Sequence, residues 1–382
     1  MNACSTIITC LVLFLQVDFS QPIFESQTID GNISIGYGLA LDDVDGDGKP
    51  DILLADRKQF VWYRNGDWKR FVMIDSLTSR DNVCIAARDL DGDGKVEVAV
   101  GAQWNPGETA NEKESGSVHY LMPPSDRTKT WKAVRLHHEP TVHRMQWVKL
   151  PNGKFVLVVL PLHGRGNKDG DGAGVNVLAY HFPKDVSDSW EIDTLDNSMH
   201  LTHNFQVEEN TDETKLYVAG KEGVRLIHLS GDLSSSGKTE GTENGAGEVR
   251  IGKVTPEKNF IVAIEPMHGN QLAAYTGNTM ERSLLDDHIS EGHALATADL
   301  LSVGYDQIVC GWRGANQEGK VGIKIYFQKD KNSAEWESSW IDENGMACED
   351  LKIVDMNGDG KPDIVAAGRA THNLKIYWNK SR

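Results

Sequence analysis

Four histidines, His143, His203, His268 and His293, lie beside short apolar runs in segments of similar texture, "HRMQWV", "HNFQV", "MHGNQLAAY" and "HALATADL". Neutral imidazole is the commonest transition-metal ligand, and three such ligands leave a coordination position open for water or substrate. A fifth, His163, stands in the slot of its own segment that His268 occupies in another. The chemistry these residues suggest is that of one divalent transition metal, with zinc the first choice.

Carboxylates make a second pattern. "DVDGDGKPDI" at 43–52 has near copies in "DLDGDGKVEV" at 89–98 and "DMNGDGKPDI" at 355–364. An EF-hand needs a bidentate Glu at loop position 12 and flanking helices. Position 12 here is Leu54, Val100 and Ala366, and the residues after each loop read as a strand. The loops are therefore hairpin turns that present oxygen ligands to calcium. The first offers Asp43, Asp45, Asp47, the carbonyl of Lys49, and Asp51. The second offers Asp89, Asp91, Asp93, the carbonyl of Lys95, and Glu97, and the third Asp355, Asn357, Asp359, the carbonyl of Lys361, and Asp363. About three structural calcium ions are expected.

Both patterns must be positioned by a repeat. Degenerate copies of the strand–turn–strand unit fill the middle of the chain, with Asn152-Gly153-Lys154 in one turn and Asp299 and Asp306 as remnants of a binding loop in another. Seven units of about four short strands predict an all-β, seven-bladed β-propeller, which hides sheet edges by radial repetition. The blades run roughly 33–76, 82–136, 142–195, 201–229, 247–285, 291–341 and 347–378, with the polar stretch 230–247 as a solvated connector. First strands line the central channel. His143 and His203 fall five residues before loop position 1, and His293 falls six before Asp299. His163 and His268 lie just past the second strand, so the histidines converge at the end of the channel opposite the calcium loops. Arg144, Asn204 and Asn270 are expected there as substrate contacts, with Gln146, Gln206, Lys221, Glu265 and Arg313 nearby. Tyr37 and Trp104 are candidates to stack on a sugar ring. "GRGNKDGDGAG" at 164–174 is either a further metal loop or a mobile loop over the site.

Composition narrows the class. The 382 residues carry a formal net charge of −17, spread along the chain, which disfavours nucleic acid and anionic membrane as partners. Residues 1–20 contain the apolar run Ile7 to Leu15, too short to span a bilayer, and read as a signal peptide. The mature chain, 21–382, is then one secreted or periplasmic domain with no membrane span. Its three cysteines, Cys84, Cys310 and Cys348, make no disulfide framework.

The three D-x-[DN]-G-D-G loops resemble those of FG-GAP or VCBS-type propellers. "PLHGRGNKDGDGAGVNVLAY", "THNFQV", "GAGEVRIG", "IEPMHGNQLAAY", "EGHALATADL" and "IVCGWRG" are similar to the propeller domain of aldos-2-ulose dehydratase, a lyase of keto sugars such as 1,5-anhydrofructose. The resemblance covers nearly all of the mature chain. It implies that His143, His203, His268 and His293 sit at a metal-dependent dehydration site, without saying which of them are ligands. The fungal enzymes continue into cupin-like domains associated with isomerisation, whereas this chain stops at Arg382, which puts a coupled isomerase in doubt. Elimination of water next to a carbonyl needs a base and an acid, for which His163 and Glu265 are the candidates. Arg313 and Lys221 are candidates to hold developing negative charge. The partner is then a small sugar or glycoside. Two other classes remain open: a non-catalytic, calcium-stabilised propeller that binds glycan or protein, and a propeller-type polysaccharide lyase.

Overall fold

The computed structural model describes residues 22–233, 235–240, 244–255, 258–277, 280–328 and 335–381; the expected signal segment lies outside them. Every regular element in this range is a strand, and the strands form seven four-stranded antiparallel sheets arranged as a seven-bladed propeller. Among the described residues no helix is long and apolar enough to cross a membrane. In six of the sheets the strands follow sequence order outwards from the channel; in the seventh the outermost strand comes from the start of the chain. Second strands such as Asp51–Ala55 and Glu97–Ala102 are buried throughout, because sheets cover them on both faces. Outer strands such as Glu281–Asp286 are largely polar and wet.

The core is a ring of seven seams. Each hydrophobic cluster joins two neighbouring blades, as where Leu53 and Trp62 of blade one meet Ile85, Val98 and Leu121 of blade two. The remaining clusters join blades two to seven in turn and then blade seven to blade one. Burying one such side chain contributes roughly 1.5–3 kcal/mol. A ring of this kind is stable only if its last seam closes. The closing strand is Phe24–Asp30, which pairs antiparallel with Asn373–Asn379 and completes blade seven from the opposite end of the chain. The repeat alone confines blade seven to 347–378, because a repeat period finds local neighbours and is blind to a strand donated across the whole chain. Blade four also extends beyond 229: Ser235–Glu240, inside the expected connector, pairs with Gly223–Leu229 as its outermost strand. The three cysteines are buried free thiols.

The innermost strands are Gly38–Asp42, Cys84–Arg88, Val142–Lys149, Thr202–Glu209, Glu248–Thr255, Gly292–Ala298 and Cys348–Val354. They surround a polar channel of about 540 Å³ lined by Arg88, Gln146, Gln206, Arg250, Thr297 and Lys352, among others. The acidic loops join first to second strands in blades one, two and seven, so they share one face. Strand starts, and the turns from second to third strand, share the other.

At that other face four innermost strands depart from regular pairing. Register shifts fall between Val142 and Arg144, Thr202 and Phe205, Gly292 and Ala294, and Cys348 and Asp350. The residues caught in these bulges are His143, His203 with Asn204, His293 and Glu349. A bulge bends the strand and re-aims its extra side chain. In blades one and two, which bring no histidine to this face, the innermost strand pairs with the second without a shift.

Candidate metal centre at the channel mouth

His203, His268 and His293 come together: one ligand nitrogen of each lies within 4.8 Å of the others. His203 is central, with its ring centroid 4.6 Å from His143, 4.4 Å from His268 and 5.0 Å from His293. The strand histidines are oriented by one device. Each donates Nδ1–H to a backbone carbonyl of the next blade: His143 to His203 O at 2.7 Å, His203 to Gly247 O at 3.0 Å, and His293 to Glu349 O at 2.6 Å. A ring that donates from Nδ1 turns its Nε2 lone pair away from the backbone, and this is how ligand histidines are held at metal sites. His268 arrives from the turn after the second strand of blade five. Its φ of 49° is a left-handed conformation that costs a non-glycine residue about 1–2 kcal/mol, and it carries Nε2 to 2.7 Å from His203 Nε2. Two imidazole nitrogens that close need a proton or a cation between them.

The surroundings of all four rings favour the neutral form. Burial is the main cause of their lowered pKa values, which reach about 2 for His268, with His203, Arg313 and Arg144 as further causes there. Burial followed by Arg144 holds His143 well below the ordinary value, and burial followed by Arg313 does so for His293. Burial lowers His203 too, against the pull of Glu248. Uncharged, preoriented nitrogen donors in this number fit a borderline-soft divalent ion such as zinc. His143 lies against His203 but has its Nε2 already engaged. Arg144 Nη1 donates to its Nε2 at 3.1 Å, and Trp104 stacks on its ring at 5.0 Å and 28°.

Two carboxylates in the same ring of positions are absent from the residues expected on sequence grounds. Glu349 precedes Asp355 by six residues, as His293 precedes Asp299, so alignment on the loops is a signal that could find it. It accepts from Arg313 at 2.7 Å and Arg369 at 3.0 Å. Glu248 begins the innermost strand of blade five, fully buried, in a blade whose degenerate loop offers no reference for counting. Burial alone would raise its pKa, but Arg250, His203 and Arg144 bring it down to about 2.

Several expected site residues are placed elsewhere. Glu265 is fully buried but engaged: Arg282 donates to it at 2.8 and 3.0 Å, and the Tyr275 hydroxyl also donates to it, so it is no free base. Lys221 reaches Asp169 O at 3.3 Å and Asp171 at 3.6 Å and ties down the 164–174 loop. That loop is further held by Arg165 on Glu112 and Glu139, and by Asn167 on Ala173 O and His200 O. His163 packs under it, with no hydrogen bond or ring contact to the trio among the described residues and with Nδ1 buried and unpartnered. Asn204 turns to Glu248, at 2.7 and 2.9 Å. Asn270 is exposed. Tyr37 is buried beneath Arg369, with its hydroxyl on Asp81 at 3.2 Å. Of the expected polar groups, Arg313 and Arg144 stay beside the trio.

The acidic loops form by local hydrogen bonding. Asp43 accepts from Gly46 N and Gly48 N at 2.7 Å each, and both glycines have φ above 80°. Asp51 accepts from Val44 N at 2.9 Å. Asp89 with Glu97, and Asp355 with Asp363, repeat the frame. Asp43, Asp45 and Asp51 converge, as do Asp89, Asp91 and Glu97. Burial and the neighbouring carboxylates push Asp51 and Glu97 up to about 7, and Asp45 Oδ1 is buried without a partner. That unbalanced negative charge fits a hard cation. Blade six keeps the frame without the charge: Asp299 accepts from Val303 N and Gly304 N, and Gln307 from Leu301 N.

Comparison with known proteins agrees with this architecture. Residues 43–100 match an FG-GAP-like repeat, residues 85–121 the FG-GAP repeat, and residues 115–278 the β-propeller domain of aldos-2-ulose dehydratase. The chain carries FG-GAP repeats and resembles that propeller domain across the blades bearing His143, His163, His203 and His268. The match is narrower than the coverage of nearly the whole mature chain expected from the sequence, and His293 lies beyond it. No curated protein matches. A chain of the mitotic checkpoint complex crystal structure is 12% identical, with a TM-score of 0.58 over 100% of this chain and 99% of its own. A streptogramin B lyase structure is 12% identical, with a TM-score of 0.55 over 94% and 98%. Identities this low show the propeller fold alone.

Proposed function

We propose that this protein is a metal-dependent carbon–oxygen lyase that removes water from a keto sugar, such as 1,5-anhydrofructose or a related oxidised glycoside. One observation carries the reading: three neutral histidines from three blades bring their nitrogens within 4.8 Å of one another at the mouth of the channel. A merely structural seam has no use for this, since buried polar groups without a task are replaced at little cost by apolar ones. The resemblance of residues 115–278 to a dehydratase propeller supplies the reaction class.

His203, His268 and His293 would hold the ion, and zinc suits an all-imidazole set. When bound, it supplies Lewis-acid polarisation of the substrate carbonyl. The chain's own groups do the rest. Arg144, oriented by its bonds to the ring and carbonyl of His143, and Arg313, held between Glu349 and Glu291, place positive charge where negative charge develops on oxygen. Glu248, Glu349 and Glu291 are each paired with arginine, so the base for the proton on the carbon next to the carbonyl is assigned to His143, the imidazole at the mouth outside the ion-binding trio, whose Nε2 is freed when Arg144 turns to the substrate oxygen. The hydroxyl on the following carbon departs with a proton as water, and a carbon–carbon double bond forms. Calcium at the loops of blades one, two and seven is read as structural, and the protein as secreted or periplasmic.

Elemental analysis of the purified protein beside a His203→Ala, His268→Ala double variant tests the assignment. The expected result is calcium in both and a further transition metal in the wild type alone, with loss of one water from 1,5-anhydrofructose seen by mass spectrometry only for the wild type. Calcium alone in the wild type would overturn it in favour of a glycan-binding propeller.

A further inference from the structure

Glu248 has no place in the elimination just described, yet it is among the most enclosed charges in the molecule, with both itself and its partner His203 fully buried. A buried carboxylate persists only where several donors hold it. Asn204 supplies two contacts, at 2.9 and 2.7 Å, and Arg250 a third at 3.2 Å. A further carboxylate contact is to His203 Nδ1, from Oε1 at 3.2 Å.

His203 is thereby unlike its neighbours. The Nδ1–H of His143 and that of His293 each meet a carbonyl alone, at 2.7 and 2.6 Å. The Nδ1–H of His203 donates to Gly247 O at 3.0 Å, and the same nitrogen has in addition a carboxylate oxygen, Glu248 Oε1, 3.2 Å away. A carboxylate on the far nitrogen fixes the tautomer and makes the other nitrogen a stronger donor. The histidine so treated is the one at the centre of the cluster. Blade five thus contributes two polar side chains from the open end of one hairpin: His268 to the cluster itself, and Glu248 behind it.

We infer that Glu248 is a positioning residue for the metal centre: through His203 Nδ1 it sets the affinity of the histidine cluster for a divalent transition ion. The inference rests on the metal reading above. It is separable from a structural role, because Glu248 also anchors Arg250 and Asn204, and those contacts can be disturbed without touching His203.

The experiment uses the full-length protein stripped of transition metal, titrated with zinc against a chromophoric chelator and with cobalt followed by its visible absorption. Glu248→Gln keeps the shape and removes the charge; its zinc affinity is expected to fall about 10–100-fold. Arg250→Met disturbs the same buried network and is expected to lower thermal stability while leaving zinc affinity within a few-fold of wild type. Should Glu248→Gln fail to fold, Glu248→Asp decides, with a weaker affinity and an altered cobalt spectrum expected. Wild-type affinity in the charge-removed variant, or an equal loss in Arg250→Met, overturns the inference. A wild type that takes up neither zinc nor cobalt overturns the functional reading as well, so the two failures can be told apart.

Discussion

The two ends of this propeller handle charge in opposite ways. At the loop end, carboxylates cluster within nine consecutive residues on a frame of backbone hydrogen bonds, and the turn is complete before any cation arrives. Blade six makes the point, because Asp299 and Gln307 build the same turn without the acidic set. At the histidine end nothing is local. Three rings from blades four, five and six are kept uncharged by burial, carbonyls of neighbouring blades orient those of His203 and His293, and three strand bulges turn His143, His203 and His293 inward. One end is a part that any hairpin could carry; the other exists only when the ring is closed.

This contrast can be broken by experiment. The largest effect belongs to His203→Ala. On the proposed reading, loss of the metal would remove several kcal/mol of transition-state stabilisation, so turnover of a keto sugar is expected to fall by roughly 10³-fold or more, read in a steady-state assay beside metal analysis. Asp89→Ala should do the reverse: with free calcium at about 100 times its Kd, up to roughly 3 kcal/mol of stability is lost in denaturant melts, while kcat is unchanged. An Asp89→Ala protein that keeps its stability but loses turnover would join the two ends and sink the comparison.

Smaller effects sharpen it. Glu265→Gln breaks a pair in which the carboxylate is buried and Arg282 is about a third exposed, so a loss of about 2 kcal/mol is expected, below the range for a fully buried pair, with zinc binding unchanged. If zinc binding falls instead, Glu265 belongs to the centre after all. Lys221→Met removes a long contact to the highly exposed Asp171 and an exposed one to the carbonyl of Asp169, and should cost less than about 0.5 kcal/mol and leave kcat as it was.

Much of the fold and of the site is legible in the sequence, and the exceptions are instructive. His203, His268 and His293 can be found by counting from the turns, since hairpin geometry converts equal spacing into equal height along the channel. Counting cannot see that His143 is taken by Arg144, or that Glu265, three residues from His268, faces Arg282. Those outcomes depend on side-chain direction, which bulges and turns reset. Trp104 is legible as an aromatic at the mouth, but its stacking face is spent on His143. Glu349 is within reach of the same count, and a count restricted to histidines passes it over.

What the sequence determined by itself is whatever is set within one hairpin: the strand period, the turns, the acidic loops, and from their repetition the number of blades. These depend on backbone hydrogen bonding and on the two-residue alternation of side chains, which act over a few residues. Tertiary structure decided the rest. It brought Phe24–Asp30 across the molecule to close blade seven, and it chose which histidines meet. It also put Glu248 behind His203, by placing the first strands of blades four and five side by side around one channel. Such contacts are made between blades, and no local rule reaches from one blade to the next.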